Sequence, residues 1–297
     1  MQFLSFGSLN IDRVFEVDHV VRPGETIASN SMRVFGGGKG ANQSVALARA
    51  GAHVMHAGKV GSDGLWLVDK LAAEGVDTHA IGEVDGPTGQ ALIQVDKFGQ
   101  NSIVLLPGAN YQITRADIDR VLNECERGTM VLLQNEISEV GYLISAAADC
   151  GLRVCLNPAP FRAQLLKYPL DRLDLLFLNE TEAAGMTGRA ETQAMIQALA
   201  DLLPECEVIL TVGDRGAVYS GAEGLIATPA AVVEAVDTTA AGDTFLGYFL
   251  AQRAKGIDVR RSMTVAHRAA AICVSRPGAI ESIPTWAEVE SLVGASI

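Results

Sequence analysis

Ten residues late in the chain carry the sharpest chemical signal. Val236-Asp237-Thr238-Thr239-Ala240-Ala241-Gly242-Asp243-Thr244-Phe245 passes from small side chains straight into an amphipathic helix, with Phe245, Leu246, Phe249 and Leu250 on one side. A helix start lined by Ala240, Ala241 and Gly242 exposes N–H groups with nothing to block approach. That arrangement suits an anion, in particular a phosphoryl group in transfer. Asp243 in the first turn could take a proton from an attacking hydroxyl. It could equally do no more than complement the helix dipole.

A second loop is Gly36-Gly37-Gly38-Lys39-Gly40-Ala41-Asn42-Gln43, between a strand and a helix. Four glycines in five positions let backbone approach a ligand closely. The loop is not a P-loop, because it lacks both the spacing and the Ser/Thr after the Gly-Lys pair. Gly36-x-Gly38-x-x-Ala41 partly mimics a dinucleotide loop, but the acid that such a site wants at the next strand end is missing. Lys39 and Asn42 suit hydroxyl or phosphate binding better, and a purely structural turn is the alternative.

Three further segments sit at strand ends, where open α/β sheets bind ligands. Asn179-Glu180-Thr181-Glu182 follows the apolar strand Asp174–Leu178. Asn179 and Glu182 could hold a hydrated Mg²⁺, or form a capping box. Thr211-Val212-Gly213-Asp214-Arg215-Gly216 is a glycine turn, open to reading as a hairpin or as a nucleotide-contacting loop. Asn10-Ile11-Asp12 is unspecific by itself, though a strand end bearing Asn and Asp could hydrogen-bond sugar hydroxyls. His267, alone on an apolar helix, reads as packing, and the His53/His56 pair lies on a strand and does not read as a metal site.

The elements that position these residues alternate along the chain. Strands are expected at Gln2–Gly7, His53–Val60, Thr129–Leu133, Leu152–Leu156, Asp174–Leu178 and Val208–Val212. Helices are expected at Ala41–Ala50, Leu65–Glu74, Ser138–Asp149, Glu180–Met186, Ala241–Arg253, Val259–Val274 and Trp286–Leu292. The alternation predicts a mainly parallel sheet covered by helices on both faces. Asp12–Val34 and Thr88–Leu106 break it with strand-like alternation around turns, which predicts a small antiparallel flap.

Composition excludes several classes. The chain has 297 residues, enough for a sizeable core, with 48% apolar and 20% charged residues, so it reads as an ordinary soluble globular protein. A net charge of −12 without a basic patch argues against nucleic-acid binding. Any phosphate site must then rely on backbone N–H groups, helix ends, a lysine or Mg²⁺. Five cysteines without C-x-x-C spacing are expected to be buried, reduced thiols. No membrane span is expected, and the N-terminus meets Asp12 too early for a signal peptide, so a cytoplasmic location is expected.

Taken in order, GGGKGANQ, the TG…VD…GQN…PGAN stretch (Thr88–Asn110), NPAP (Asn157–Pro160), NETEA (Asn179–Ala183) and VDTTAAGDTF resemble the ribokinase family of sugar and nucleoside kinases over essentially the whole chain. The resemblance implies a single domain over 1–297: a three-layer α/β/α core with a β-sheet lid built from 10–35 and 88–107. It implies a sugar site at Asn10, Asp12, Gly38, Lys39, Asn42 and Glu136. Nucleotide contacts would come from Asn179, Thr211, Val212, Gly213, Asp214, Gly216 and Gly242, with His267 near the adenine. Ala240, Ala241 and Gly242 would form the anion hole and Asp243 the base. Asp237, Thr239, Cys273, Arg276, Gly278 and Ser282 would hold a monovalent cation, K⁺, and Mg²⁺ would meet Asn179 and Glu182 through water. A homodimer through the lid is expected.

The resulting expectation is transfer of the γ-phosphoryl of ATP to a primary hydroxyl of a pentose, D-ribose first. Deoxyribose, a ketohexose or a nucleoside as acceptor is the first rival. A dinucleotide-dependent oxidoreductase using the Gly36–Ala41 loop is the rival from another class, and a sugar-binding regulator is a third, opposed by the intact Asp243.

Overall fold

The computed structural model describes residues 2–293. The chain opens with β1 (Phe3–Phe6), β2 (Asn10–Val17), β3 (Ser31–Gly37), α1 (Lys39–Arg49), β4 (Val54–Val60), α2 (Leu65–Ala73) and β5 (Asp77–Glu83). The hairpin β6 (Gly89–Asp96) and β7 (Asn101–Leu106) follows, then α3 (Arg115–Leu122), β8 (Met130–Gln134), α4 (Val140–Asp149) and β9 (Arg153–Asn157). The last part runs through β10 (Leu175–Asn179), α5 (Glu180–Thr187), α6 (Thr192–Leu202), β11 (Glu207–Thr211), β12 (Ala217–Gly221), β13 (Gly224–Thr228), α7 (Ala241–Ala254), α8 (Val259–Val274) and α9 (Trp286–Val293).

Nine strands form one sheet in the order β13-β12-β11-β10-β9-β8-β1-β4-β5. It is parallel from β11 to β5, with β12 antiparallel at one side. Side chains on a strand alternate between faces, and the central strands are apolar on both. In β8, Met130 and Leu132 join one core while Val131 and Leu133 join the other; Leu175 and Phe177 divide from Leu176 and Leu178 in the same way. The first core is completed by α1, α2, α7, α8 and α9, the second by α3, α4, α5 and α6. Continuous apolar strands buried on both faces are what a helix-covered parallel sheet requires.

The second sheet has four strands in the order β3-β2-β6-β7. The sequence predicts an antiparallel flap, and the two hairpins are antiparallel, but the central pair β2–β6 is parallel from Asn10↔Gly89 to Val17↔Asp96. Both strands leave the core sheet at the same end and run outward together, which fixes their common direction.

The expectation of uniformly buried thiols needs correction too. All five cysteines are free, but Cys150 is exposed and Cys125 half-buried; only Cys155, Cys206 and Cys273 are buried. Among the described residues, no helix is long and apolar enough to cross a membrane.

Candidate active site

Asp243 is 5% exposed in the first turn of α7. Its Oδ2 accepts from Asn42 Nδ2 at 3.0 Å and its Oδ1 from Gln43 Nε2 at 2.9 Å. The preceding Ala240 sits at φ 60° with no side-chain cap over the helix start. That is a left-handed conformation unusual for alanine, and it turns the chain so that α7 begins bare. The N–H groups of Gly242 and Asp243, second and third in the helix, have no intrahelical acceptor, and Gly242 is exposed.

Helix α1 brings the other half of the site to the same place. Its N-cap Gly38 has φ 93°, where a β-carbon would also press on Ser8 O at 2.8 Å. A β-carbon on Gly37 would collide with the Asp12 carboxylate. The glycine run thus lets Asp12, on β2, lie against the loop that starts α1. Lys39 is enclosed among acids. Burial opposes its charge, but Asp243, Glu136, Glu182 and Asp12 outweigh burial and hold the ammonium above its usual pKa. Asp12 is pushed up to about 7, first by burial and then by Glu136 and Glu281, with Lys39 pulling back.

Glu136 accepts from Ser8 Oγ at 2.5 Å and from the Lys39 backbone N–H at 3.2 Å. Asn10 Oδ1 accepts from Asn110 Nδ2 at 2.8 Å, and Asn110 is itself fixed by Leu9 N. A cleft of about 310 Å³ lies in front of these groups, lined by Asn10, Asn110, Asn135 and Glu136, by Leu105 and Leu106 of the second sheet, and by the Tyr111–Arg162 pair. Asn42 Oδ1 is buried without a hydrogen-bond partner among the described residues. With its amide donating to Asp243, that oxygen can only accept.

The expected nucleotide residues collect at the adjacent strand ends. Asn179 ends β10 directly beside Thr211, which ends β11. The turn Gly213–Arg215, with Gly213 at φ 62° and Gly216 at φ 107°, is indeed a hairpin connection from β11 to β12. The capping box is also real: Asn179 Oδ1 accepts from Glu182 N, and Glu182 Oε2 from Asn179 N. Glu182 nonetheless feels both Lys39 and Asp243, so it caps α5 and borders the site together. Its oxygens are engaged by Asn179, and among the described residues no three His, Cys, Asp or Glu groups cluster as a direct metal set. Mg²⁺ usually keeps several waters and takes few carboxylates, so Glu182 would meet the ion only through water. His267 donates to or accepts from Thr228 Oγ1 at 3.0 Å and packs edge-on to Phe245; burial pulls its pKa down to about 4, so it is neutral.

The expected cation residues partly converge. Asp237 accepts from Thr239 N at 2.9 Å and Gly278 N at 3.0 Å, so it ties two loops rather than capping α7. Cys273 Sγ meets Thr239 O at 3.6 Å and Ser282 Oγ at 3.1 Å. Arg276 points its guanidinium to Glu288 at 2.6 Å, leaving only its carbonyl for an ion. Both Asp237 oxygens accept from backbone N–H groups, so a monovalent cation here would share the carboxylate with them and take its remaining oxygens from loop carbonyls.

Sequence reasoning missed Gln134, Ser8 and Glu281. Gln134 ends the apolar strand Met130–Gln134 and donates to Gln43 Oε1 at 2.7 Å; a polar residue closing a fully buried strand beside the site was its one visible signal. Ser8 reaches Glu136 across 128 residues of sequence and Glu281 bears on Asp12 through its charge, so neither left a local mark. The dinucleotide alternative fails on topology. The strand before the glycine loop, β3, belongs to the smaller sheet. No β-α-β unit of the core sheet therefore surrounds the loop, as a dinucleotide fingerprint requires.

The family model described as pfkB family carbohydrate kinase matches residues 2–286. A ribokinase from Haemophilus influenzae is 37% identical over 292 residues, covering 95% of both chains. One from Bacillus subtilis is 37% identical over 291 residues, covering 97% of both. The structure of Arabidopsis thaliana ribokinase complexed with ribose and ATP superposes with a TM-score of 0.85 at 29% identity, covering 98% of both chains.

Proposed function

The chain belongs to the pfkB family of carbohydrate kinases, and we propose that it transfers the γ-phosphoryl group of ATP to the primary hydroxyl of D-ribose. The observation that carries this reading is the meeting of Asp243, buried and held by Asn42 and Gln43, with the bare start of α7. A base and an anion site in the same helical turn are the two requirements of phosphoryl transfer to an alcohol. The ribose and ATP named for the Arabidopsis relative support the choice of substrates.

The sugar lies between the core and the smaller sheet, which acts as a lid. Asp12 and Glu136 accept from its hydroxyls, Asn42 Oδ1 takes another, and Lys39 donates. The primary hydroxyl faces Asp243. Its proton passes to the carboxylate as the O–P bond forms, and the bond from Pγ to the bridging oxygen breaks with its electron pair going to ADP. The Gly242 and Asp243 N–H groups bind the charge that develops on the transferring group. Asn179 and Glu182 would hold Mg²⁺ through water, where the ion would supply positive charge to the phosphates. Asp237 and the 274–282 loop would hold a monovalent cation, whose charge would help to fix the backbone leading into α7.

The lid also supports a homodimer. Val34, Leu92 and Val104 lie in one register row across it, with Arg13 between Val34 and Leu92, and are 45%, 40% and 62% exposed, with Met32 and Leu106 on the same face. Exposed apolar side chains gathered on one face support an interface there. Use of ATP as phosphoryl donor fits a cytoplasmic enzyme.

The test is a coupled ADP-release assay across ribose, deoxyribose, fructose, tagatose and several nucleosides. Ribose should give the highest kcat/KM. A nucleoside or ketohexose preferred over ribose would replace the acceptor but keep the chemistry; no ADP release with any of them would end the kinase reading.

A further inference from the structure

Asp243 is not held by isolated contacts. An ionised carboxylate only accepts hydrogen bonds, so Gln43 must present its NH₂ to Asp243 Oδ1, where Nε2 lies at 2.9 Å. Its Oε1 then faces backward and accepts from Gln134 Nε2 at 2.7 Å. Gln134 must in turn show its NH₂ to Gln43, which sends its own Oε1 the other way. That oxygen has no hydrogen-bond partner among the described residues. It lies against Gly7, where a β-carbon would collide with it. Gln134 and Gln43 are fully buried and Asp243 nearly so. The chain of donors therefore has one direction, from the end of β8 through α1 to α7, and its open end is a buried amide oxygen. The direction is set at the Asp243 end, because the carboxylate must be met by the Gln43 NH₂ and the Gln134 amide behind it follows.

We infer that Gln43 and Gln134 are positioning residues for phosphoryl transfer: Gln134 fixes the amide of Gln43, and Gln43 fixes the Oδ1 side of Asp243 in the orientation that receives the hydroxyl proton. The inference rests on the reading of Asp243 as the base. Neither glutamine touches the substrate. Both act through the acid, Gln43 directly and Gln134 at one remove.

The experiment is steady-state kinetics with ribose and MgATP, with kcat expressed per binding-competent site titrated by calorimetry, so that misfolded molecules do not count. The variants are Gln43→Met, Gln134→Met, Gln134→Glu, the double Gln43→Met/Gln134→Met, and Asp243→Asn with and without Gln43→Met. Gln134→Glu keeps size and polarity but accepts where Gln134 donates, so it turns the Gln43 amide around. Each single glutamine variant should lower kcat by roughly 5- to 50-fold, between the worth of one hydrogen bond and that of a misplaced catalytic group. Both KM values should stay within about twofold, because binding is untouched. The double variant should be no slower than Gln43→Met alone, and Gln43→Met should change nothing further once Asp243 is Asn. Losses that multiply in the double variant, or that persist in the Asp243→Asn background, would assign the glutamines to packing, as would a Gln134→Glu enzyme at the wild-type rate. An Asp243→Asn enzyme at full speed would overturn the base itself; a slow Asp243→Asn beside fast glutamine variants would overturn only the chain.

Discussion

The Asn42 amide donates to Asp243 Oδ2 at 3.0 Å across 201 residues of sequence, tying the first turn of α1 to the first turn of α7. The glycine loop that opens α1 and the bare start of α7 are thus held as one unit. The two helices can come this close because Gly247 of α7 lies on α1: a β-carbon there would meet Ala46 Cβ at 2.5 Å and Leu47 N at 2.9 Å.

Gly247→Ala should therefore separate the helices. Overpacking of this kind costs about 1–3 kcal/mol, and kcat should fall with stability as Asn42 and Asp243 part. Urea denaturation and kinetics on the same preparation check this. Unchanged stability and turnover would mean the helix contact yields without moving the site.

How far the site was legible follows from the range of its interactions. The Gly36–Gln43 and Asp237–Phe245 segments announce themselves because close approach and a bare helix start need runs of small residues. Helix α8 lies at Val259–Val274 as its periodicity predicts, and β10 is displaced by one residue because Asn179 is both the last strand residue and the cap of α5. Helix α3 escaped notice although Thr114 and Asp117 form a capping box at its start. The edge strand β5, DTHAIGE, is polar and half-exposed, so it lacks the apolar run of the inner strands. The parallel β2–β6 pairing, the Gln134–Gln43 bond and the approach of Glu281 to Asp12 join distant segments. No local pattern encodes them.

The raised pKa of Asp12 gives a pH dependence with a definite sign. Burial first, then Glu136 and Glu281, put it at about 7 against an ordinary 3.8, with Lys39 opposing. Its folded value lies above its unfolded one, so its contribution to stability without sugar is present below the unfolded value and lost as pH rises through about 7. Hydroxyl donors prefer the carboxylate, so the sugar acts in the opposite sense. The KM for ribose should rise as pH falls through this range, towards about tenfold per unit. Asp12→Asn should raise KM at all pH values and flatten the trend. A wild-type KM independent of pH between 6 and 8 would remove ionised Asp12 from sugar binding.

Monovalent cations should matter through backbone alone. Asp237 binds the Thr239 and Gly278 N–H groups, so it already joins the 274–282 loop to the lead-in of α7. K⁺ should raise kcat or lower KM relative to tetramethylammonium buffer, and Na⁺ or Li⁺ should do so less well. Asp237→Ala should abolish the response. Equal activity with and without K⁺ would leave Asp237 a loop tie only.

The apolar lid face predicts assembly. Val104 is 62% exposed on the face it shares with Val34 and Leu92. Val104→Asp should convert a dimer to a monomer in light scattering while thermal stability at fixed protomer concentration falls. A wild-type monomer at micromolar concentration would leave that face without a partner.

The central claim is that Asp243 is the base, and Asp243→Asn tests it most directly. Asparagine keeps the shape of the side chain but cannot take a proton. Single-turnover and steady-state rates with ribose and MgATP, beside ADP binding by calorimetry, separate chemistry from binding. The account predicts nearly unchanged ADP affinity and a kcat lower by roughly 10²–10⁴-fold, the weight of general-base catalysis. A variant within about threefold of the wild-type rate, less than the effect of one ordinary hydrogen bond, would contradict it.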